Sequence, residues 1–405
     1  MDKLANTISH GAFFFLGLFP ILPFRLKPVG VVLFFISALL SLKFYKSSSL
    51  TTLFLYFLSL YFFYIISNIF STQSTLAIEQ LITMFSFIAL PFSISIVSHR
   101  ISKKGILLFE SVWVLSSSAV SIFIIVSSTL IFMKHDRFLV NELVKILNAL
   151  PYWDFHPIYV SIYLIIGNIF SLQKLRQKQT TDYSNLFFFL LNSIAIIFLA
   201  RKSAVIFLAL LFIFFIYGLY KNYTHKKTWF VLLLVVILLL GAFFSEVPKR
   251  LMEVFVFRSF NKLEFFSSTS IRYNIYKSIL NNIHQTPFFG YGFVNLRSVL
   301  THWYPNEMPG YFNSHNQYLS TFLVTGYLGL LTFLLLLRAV FLQVKSYFTP
   351  SLLIFFLIYI MFFENILERQ NGVIVFTLIF IFCKPNEDNT NRPTSKSSYG
   401  PFNSQ

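Results

Sequence analysis

Only one cysteine, Cys383, occurs in 405 residues, so no disulfide can form within the chain. Acidic residues are also scarce: 15 Asp and Glu stand against 32 Lys and Arg, and charged residues of both signs make up only 12% of the sequence. No His, Cys or carboxylate cluster has the spacing of a zinc site, and no metal or cofactor is expected. Nor is there an apolar run with a small-residue cleavage site behind it, so the first run is expected to stay as a span and not as a removed leader. A soluble protein of this size could not solvate so little charge. Cys383, at the end of the last apolar run, is expected to be a small apolar residue facing lipid.

What is abundant is apolar and aromatic. Hydrophobic residues reach 56% and aromatics 20%, with 54 phenylalanines. About twelve apolar runs lie near the roughly 20-residue length that crosses a bilayer. They fall at 8–24, 29–44, 50–70, 75–98, 105–133, 155–172, 184–200, 203–220, 228–245, 315–337, 350–364 and 370–384. The fold expected is therefore an all-α polytopic membrane protein with one large outer loop containing short helices. It divides into a transmembrane bundle at 1–245, the loop at 246–314, the last spans at 315–384 and a polar, disordered tail at 385–405.

The net charge of +17 does not signify nucleic acid, because the cations are distributed by loop. Lys43 and Lys46; Arg100, Lys103 and Lys104; Lys174, Arg176 and Lys178; Lys221, Lys226 and Lys227; and Arg338 and Lys345 fall in alternate short connections. That alternation puts both termini in the cytoplasm. Arg25 and Lys27 dissent. The 246–314 segment then lies outside; it too is basic, but long loops cross regardless of charge. Loops of such length are usually functional.

Within that loop, Ser268-Thr269-Ser270 offers cap oxygens to a helix over about 271–283, whose Ile271, Ile275, Ile279 and Ile283 form a stripe at i+4 spacing. Arg272 lies in its first turn, and Pro287-Phe288-Phe289-Gly290-Tyr291-Gly292 makes a compact turn after it. Charges inside the spans are few: Glu79, Glu110 and Glu364 lie near span ends. Their rarity at mid-membrane directs attention from a transport path to chemistry at the outer face.

Three basic groups converge there by topology. Arg201 opens a span after an abrupt turn in Ala200-Arg201-Lys202-Ser203-Ala204, Arg272 lies in the loop helix, and His315 begins a span in Ser314-His315-Asn316. Arginine grips phosphate oxygens bidentately, and histidine accepts a proton near neutral pH. Together they suit a displacement in which a diphosphate leaves and a hydroxyl attacks. Each also has a purely structural use. Arg201 with Lys202 can anchor the interface, Arg272 can be the solvated side of an amphipathic helix, and His315, Asn316 and Ser314 can cap a helix. His284 and His302 are rival bases. Residues alone therefore reach a basic outward site for an anionic, lipid-linked ligand, with a non-enzymatic transporter of such a ligand as the competing class.

From Ala200 onward the order of motifs resembles the O-antigen ligase and O-antigen polymerase superfamily of bacterial membrane glycosyltransferases. Arg201 in its small-residue turn, Ser270-Ile271-Arg272-Tyr273, the Pro287–Phe293 run, Ser314-His315-Asn316, Gly326-Tyr327-Leu328-Gly329 and Glu364-Asn365-Ile366-Leu367-Glu368-Arg369-Gln370 carry the resemblance. It covers about the C-terminal half. It implies a GT-C-like helical architecture in the bacterial inner membrane and an inverting, metal-independent transfer at the periplasmic face. The donor would be a glycan on undecaprenyl diphosphate. The acceptor would be a sugar hydroxyl of lipid A-core in a ligase, or a second lipid-linked glycan in a polymerase. By that resemblance Arg201 and Arg272 bind the diphosphate and His315 acts on the acceptor hydroxyl, with Asn316, Lys202 and Glu364 as supporting residues. The ten residues between His315 and Gly326 favour the ligase branch. Protein O-oligosaccharyltransferases are a third relative, usually with a further C-terminal region. Gly326 and Gly329 are expected to let the helix below His315 approach a neighbour. Glu364 and Glu368 are expected to pair with Arg201 or another loop cation.

The expected orientation can be tested in a Cys383→Ala background. A membrane-impermeant maleimide applied to spheroplasts should label Ser298→Cys but not Lys226→Cys; the reverse pattern would invert the topology.

Overall fold

The structure, a computed structural model, describes residues 2–42, 49–69, 71, 73–97, 101–135, 138–150, 152–153, 155–176, 183–222, 268–304 and 313–383. The span expected at 228–245, the outer loop before Ser268, Glu307, the cations Lys43, Lys46, Arg100, Lys178, Lys226 and Lys227, and the tail lie outside these residues.

Among the described residues all regular structure is helical. Helices α1 (Asp2–Gly17), α2 (Val29–Ser41), α3 (Ser49–Ile69), α4 (Ser74–Thr83), α5 (Ser86–Val97) and α6 (Lys103–His135) come first. They are followed by α7 (Val140–Ala149), α8 (Pro157–Arg176), α9 (Tyr183–Leu199) and α10 (Lys202–Asn222). After the undescribed stretch come α11 (Ser268–Asn282), α12 (Gly292–Trp303), α13 (Gln317–Val344), α14 (Phe348–Ile360) and α15 (Gln370–Leu378). Every expected span within the described residues overlaps a helix or a pair of them, though the run at 8–24 meets only the second part of α1 and the turn after it. Among the described residues six helices are long and apolar enough to cross a membrane, and the apolar helices at 183–199, 202–217, 348–360 and 370–383 are shorter. The run at 75–98 is two helices, because the chain tightens into i+3 turns where Phe85 N–H donates to Ile82 and Phe87 N–H to Met84. The sequence pattern did not announce α7, an amphipathic helix in the 134–154 connection.

Helices α1, α2, α5 and α6 pack together, α6 continues against α8 and α9, α13 lies along α3, and α15 lies against α5. Aromatic contacts fill these seams. Phe57 meets Phe87, Phe376 and Phe380, and Trp113 packs among Phe19, Phe109, Tyr163 and Phe170. In lipid, apolar burial does not drive helix association, so small and polar residues hold the seams as well. Asn192 Oδ1 accepts from Ser121 Oγ at 2.8 Å, and Asn168 Nδ2 donates to Ser193 Oγ at 3.1 Å, joining α6, α8 and α9. The dissenting Lys27 is only 1% exposed. Its ammonium lies 5.1 Å from the Phe19 ring and 3.4 Å from Tyr163 Oη, so it is packed among aromatics and is not an open loop cation. Cys383 is buried, not lipid-facing as expected, because α13 reaches across it: Gln343 Nε2 donates to its carbonyl at 2.9 Å.

The loop helix α11 is seated by its isoleucine stripe. Ile275 and Ile279 are fully buried. The helix begins at Ser268, so the Ser-Thr-Ser triplet forms its first turn and not a preceding cap. The turn after it crosses α13 closely. Gly326 sits at φ 71° and ψ −162°, breaking α13 in mid-course. At that break Tyr291 N–H donates to Leu323 O and Tyr327 N–H to Phe288 O, so the Pro287–Gly290 turn is stitched backbone to backbone onto the helix. A Cβ on Gly326 would lie 1.9 Å from Phe288 O, and one on Gly290 2.3 Å from Val324 O. The role expected of Gly326, helix-to-helix approach, is therefore corrected: it frees backbone groups to hold a turn. Gly329 instead leaves room for the Thr325 side chain of its own helix.

Gly326→Ala adds both a positive-φ penalty and a backbone clash, so it should destabilise the fold by about 2 kcal/mol or more. A lowered midpoint in detergent thermal unfolding is expected; an unchanged midpoint would contradict the crossing.

Candidate functional site at the docked loop helix

The sequence Asn313-Ser314-His315-Asn316 turns the chain into α13. His315 itself takes φ 46°, a left-handed conformation that few non-glycine residues adopt. The turn is held by its neighbours. Asn313 Oδ1 accepts from His315 N–H at 3.2 Å, and Asn316 Oδ1 accepts from the N–H groups of Tyr318 (2.9 Å) and Leu319 (3.0 Å). The helix cap is thus Asn316, as its short carbonyl side chain suits. His315 is not the cap; its imidazole is left for other work.

That imidazole faces Glu364, in the turn that follows α14. Nδ1 lies 3.7 Å from Glu364 Oε2, while Glu364 Oε1 accepts from Arg272 Nη2 at 2.5 Å. The side chains of His315, Arg272 and Glu364 are 26%, 27% and 10% exposed, so the constellation is shielded yet reachable. One helical turn beyond Arg272, Tyr276 presents the same face of α11. Its hydroxyl lies 3.0 Å from the His315 carbonyl and 3.3 Å from that of Phe362, and can donate to either. Burial raises the Tyr276 pKa, with Glu364 adding to the rise and Arg272 opposing it, so the phenol keeps its proton and remains a donor.

Glu368 behaves differently from the expectation that it meets a loop cation. Its carboxylate accepts from Asn365 Nδ2 at 2.6 Å, Ser320 Oγ at 2.7 Å and Asn313 Nδ2 at 3.0 Å. Asn365 also reaches Ser314 Oγ at 3.0 Å. Gln317 completes the brace: its N–H donates to Met361 O, and its side-chain oxygen accepts from Leu367 N–H. The carboxylate therefore fixes the segment that carries His315, and three neutral donors occupy it because the turn folds back on the start of α13.

Arg201 follows Ala200, which at φ 50° makes the abrupt joint between α9 and α10. Ser203 O accepts from Tyr359 Oη at 3.1 Å, tying the start of α10 to the end of α14 just before Glu364. Arg201 and Lys202, both partly exposed, thus stand at the same end of the bundle. Direct contact joins Arg272, Glu364 and His315; Arg201 occupies the neighbouring helix start. His284 and His302 are exposed on the turn after α11 and on α12. No cluster of three His, Cys, Asp or Glu residues able to hold a metal ion is present among the described residues.

Sequence reasoning missed Tyr276, Asn313 and Asn365. The i+4 spacing from Arg272 was a usable signal for Tyr276. The bonds of Asn313 to Glu368 and of Asn365 to Ser314, each spanning about fifty residues of chain, gave none.

Against known families, residues 187–334 match the model described as O-Antigen ligase. This stretch runs from α9 into α13 and contains Arg201, Arg272 and His315. Among curated proteins, the chain is 28% identical over 233 residues to one named general O-oligosaccharyltransferase from Acinetobacter baylyi (strain ATCC 33305 / BD413 / ADP1). That similarity covers 54% of this chain and 40% of the relative, so it spans less than half of the relative's length. The resemblance carried by the motifs is thereby shown: residues 187–334 are similar to the O-antigen ligase family.

Proposed function

We propose that the protein is a glycosyltransferase of the O-antigen ligase type. It moves a glycan from undecaprenyl diphosphate to a sugar hydroxyl of lipid A-core at the periplasmic face of a bacterial inner membrane, with both termini cytoplasmic. The observation that carries this reading is the contact of a phosphate-gripping guanidinium and an imidazole through one carboxylate, at the end of the bundle where the loop helix docks.

In this reading Arg272 and Arg201 hold the diphosphate, and their fixed positive charge stabilises the leaving group. No metal is required for that step, because guanidinium groups supply the charge. His315 takes the acceptor's hydroxyl proton on Nε2, since Nδ1 faces Glu364. The acceptor oxygen attacks the anomeric carbon from the face opposite the diphosphate, forming the new C–O bond and inverting that carbon. The anomeric carbon–phosphate oxygen bond breaks, and undecaprenyl diphosphate departs with the electron pair. The imidazolium then returns its proton to solvent.

The assay is transfer by purified protein supplied with labelled undecaprenyl-diphosphate glycan, alone, with lipid A-core, or with a serine-containing acceptor peptide. Product that needs lipid A-core is expected. His315→Ala should cut its rate by about 10²–10⁴-fold while the protein still inserts and folds. Near-normal turnover by that variant would remove the base role. Lengthening of the donor by itself would make the protein a polymerase, and transfer to the peptide would favour the activity named for the Acinetobacter relative.

A further inference from the structure

Resting on the reading just given, we infer that Glu364 is a shared positioning residue that couples diphosphate binding at Arg272 to the basicity of His315. Its two oxygens serve two different groups. Oε1 is committed to Arg272 Nη2 at 2.5 Å, whereas Oε2 stands 3.7 Å from His315 Nδ1, a buried nitrogen with no hydrogen-bond partner among the described residues. The contact with arginine is a strong charge-assisted bond, and the contact with histidine is about half an ångström or more too long to be a hydrogen bond.

The same guanidinium cannot answer two anions equally. While Arg272 holds Glu364, the pair is close to neutral as felt by the imidazole, and the carboxylate lends His315 little. A diphosphate at Arg272 competes for its N–H groups. As the guanidinium turns to the phosphate oxygens, the carboxylate's charge is left facing Nδ1. An anion there favours the imidazolium and so raises the proton affinity of Nε2. The base becomes strong only when the leaving group is seated, which restrains proton abstraction at other times. The anchors of the two partners keep the geometry during that exchange. Tyr276 holds the His315 or the Phe362 carbonyl from α11, and Asn313, Ser320 and Asn365 hold Glu368.

Other charged and titratable groups surround the pair. Arg272 and Tyr276 face it from α11, and Glu368 lies on the turn after α14. Arg369 follows that turn, and Arg201 and Lys202 stand at the start of α10. Of these, only Glu364 lies between the guanidinium and the imidazole in direct contact distance of both.

The test follows His315 itself. The protein is treated with diethylpyrocarbonate across a pH series, with and without undecaprenyl diphosphate as the probe, and modification of the His315 peptide is quantified by mass spectrometry. In the wild type, the probe should move the midpoint upward by about one pH unit, a tenfold change in proton affinity. In Glu364→Gln the shift should fall to less than half of that, and transfer should drop by about 10²-fold with its acidic limb moved to lower pH. The direction follows because the variant has no carboxylate to face the protonated ring. Glu364→Asp, which keeps the charge, should recover part of both effects and guards against a simple folding defect. Equal midpoint shifts in wild type and Glu364→Gln would overturn the coupling. Failure of the underlying reading looks different: Arg272→Ala would then bind undecaprenyl diphosphate as tightly as the wild type.

Discussion

The ion pair between Arg272 and Glu364 is the constraint on which the site depends. It ties the loop helix α11 to the turn after α14, beside the buried Ile275 and Ile279 that seat the same helix. Both partners are mostly shielded, and breaking such a pair by removing one side leaves a poorly solvated charge behind. The pair does more than fasten. The same carboxylate lies beside His315, so the group that docks the loop also reaches the residue best suited to proton transfer. Structure and chemistry share one side chain.

Rigid backing makes that sharing useful. From below, the Pro287–Gly290 turn is hydrogen-bonded into the break of α13 at Gly326. From the side, Glu368 gathers Asn313, Ser320 and Asn365, holding the strained turn at His315. A left-handed histidine costs on the order of 1 kcal/mol or more, and persists where its surroundings over-determine it. Here they do, through Asn313 on one side of the peptide and Tyr276 on the other. The His315 imidazole is thus placed by the backbone, not by a mobile side chain alone.

Much of this was legible in the residues. Apolar run length located the helices, because a bilayer fixes how many residues must be buried before a charge can follow. The i+4 isoleucines of the loop helix and the positions of Arg201, Arg272 and His315 came from local pattern, whereas the cap stayed open among Ser314, His315 and Asn316. What stayed hidden is long-range. Gly326 sits in an apolar run that looks like an uninterrupted helix, and only a backbone turn arriving from the loop explains its conformation. Glu364 and Glu368 are four residues apart and alike in type, yet one meets a guanidinium and the other three neutral donors. Spacing could place both at or just beyond the end of a span but could not apportion their partners. Lys27 is the same lesson in reverse: a cation counted as a loop charge proves to be packed among Phe19 and Tyr163.

The most direct test of the account is a double-mutant cycle on transfer rate with Arg272→Gln and Glu364→Gln, run beside thermal unfolding of each variant. If one site uses the two residues as a unit, their losses will overlap. The double variant should then be no slower than the slower single one, within about threefold. Losses that simply multiply, in proteins of equal stability, would show that Arg272 and Glu364 act independently, and the shared-carboxylate account would be wrong.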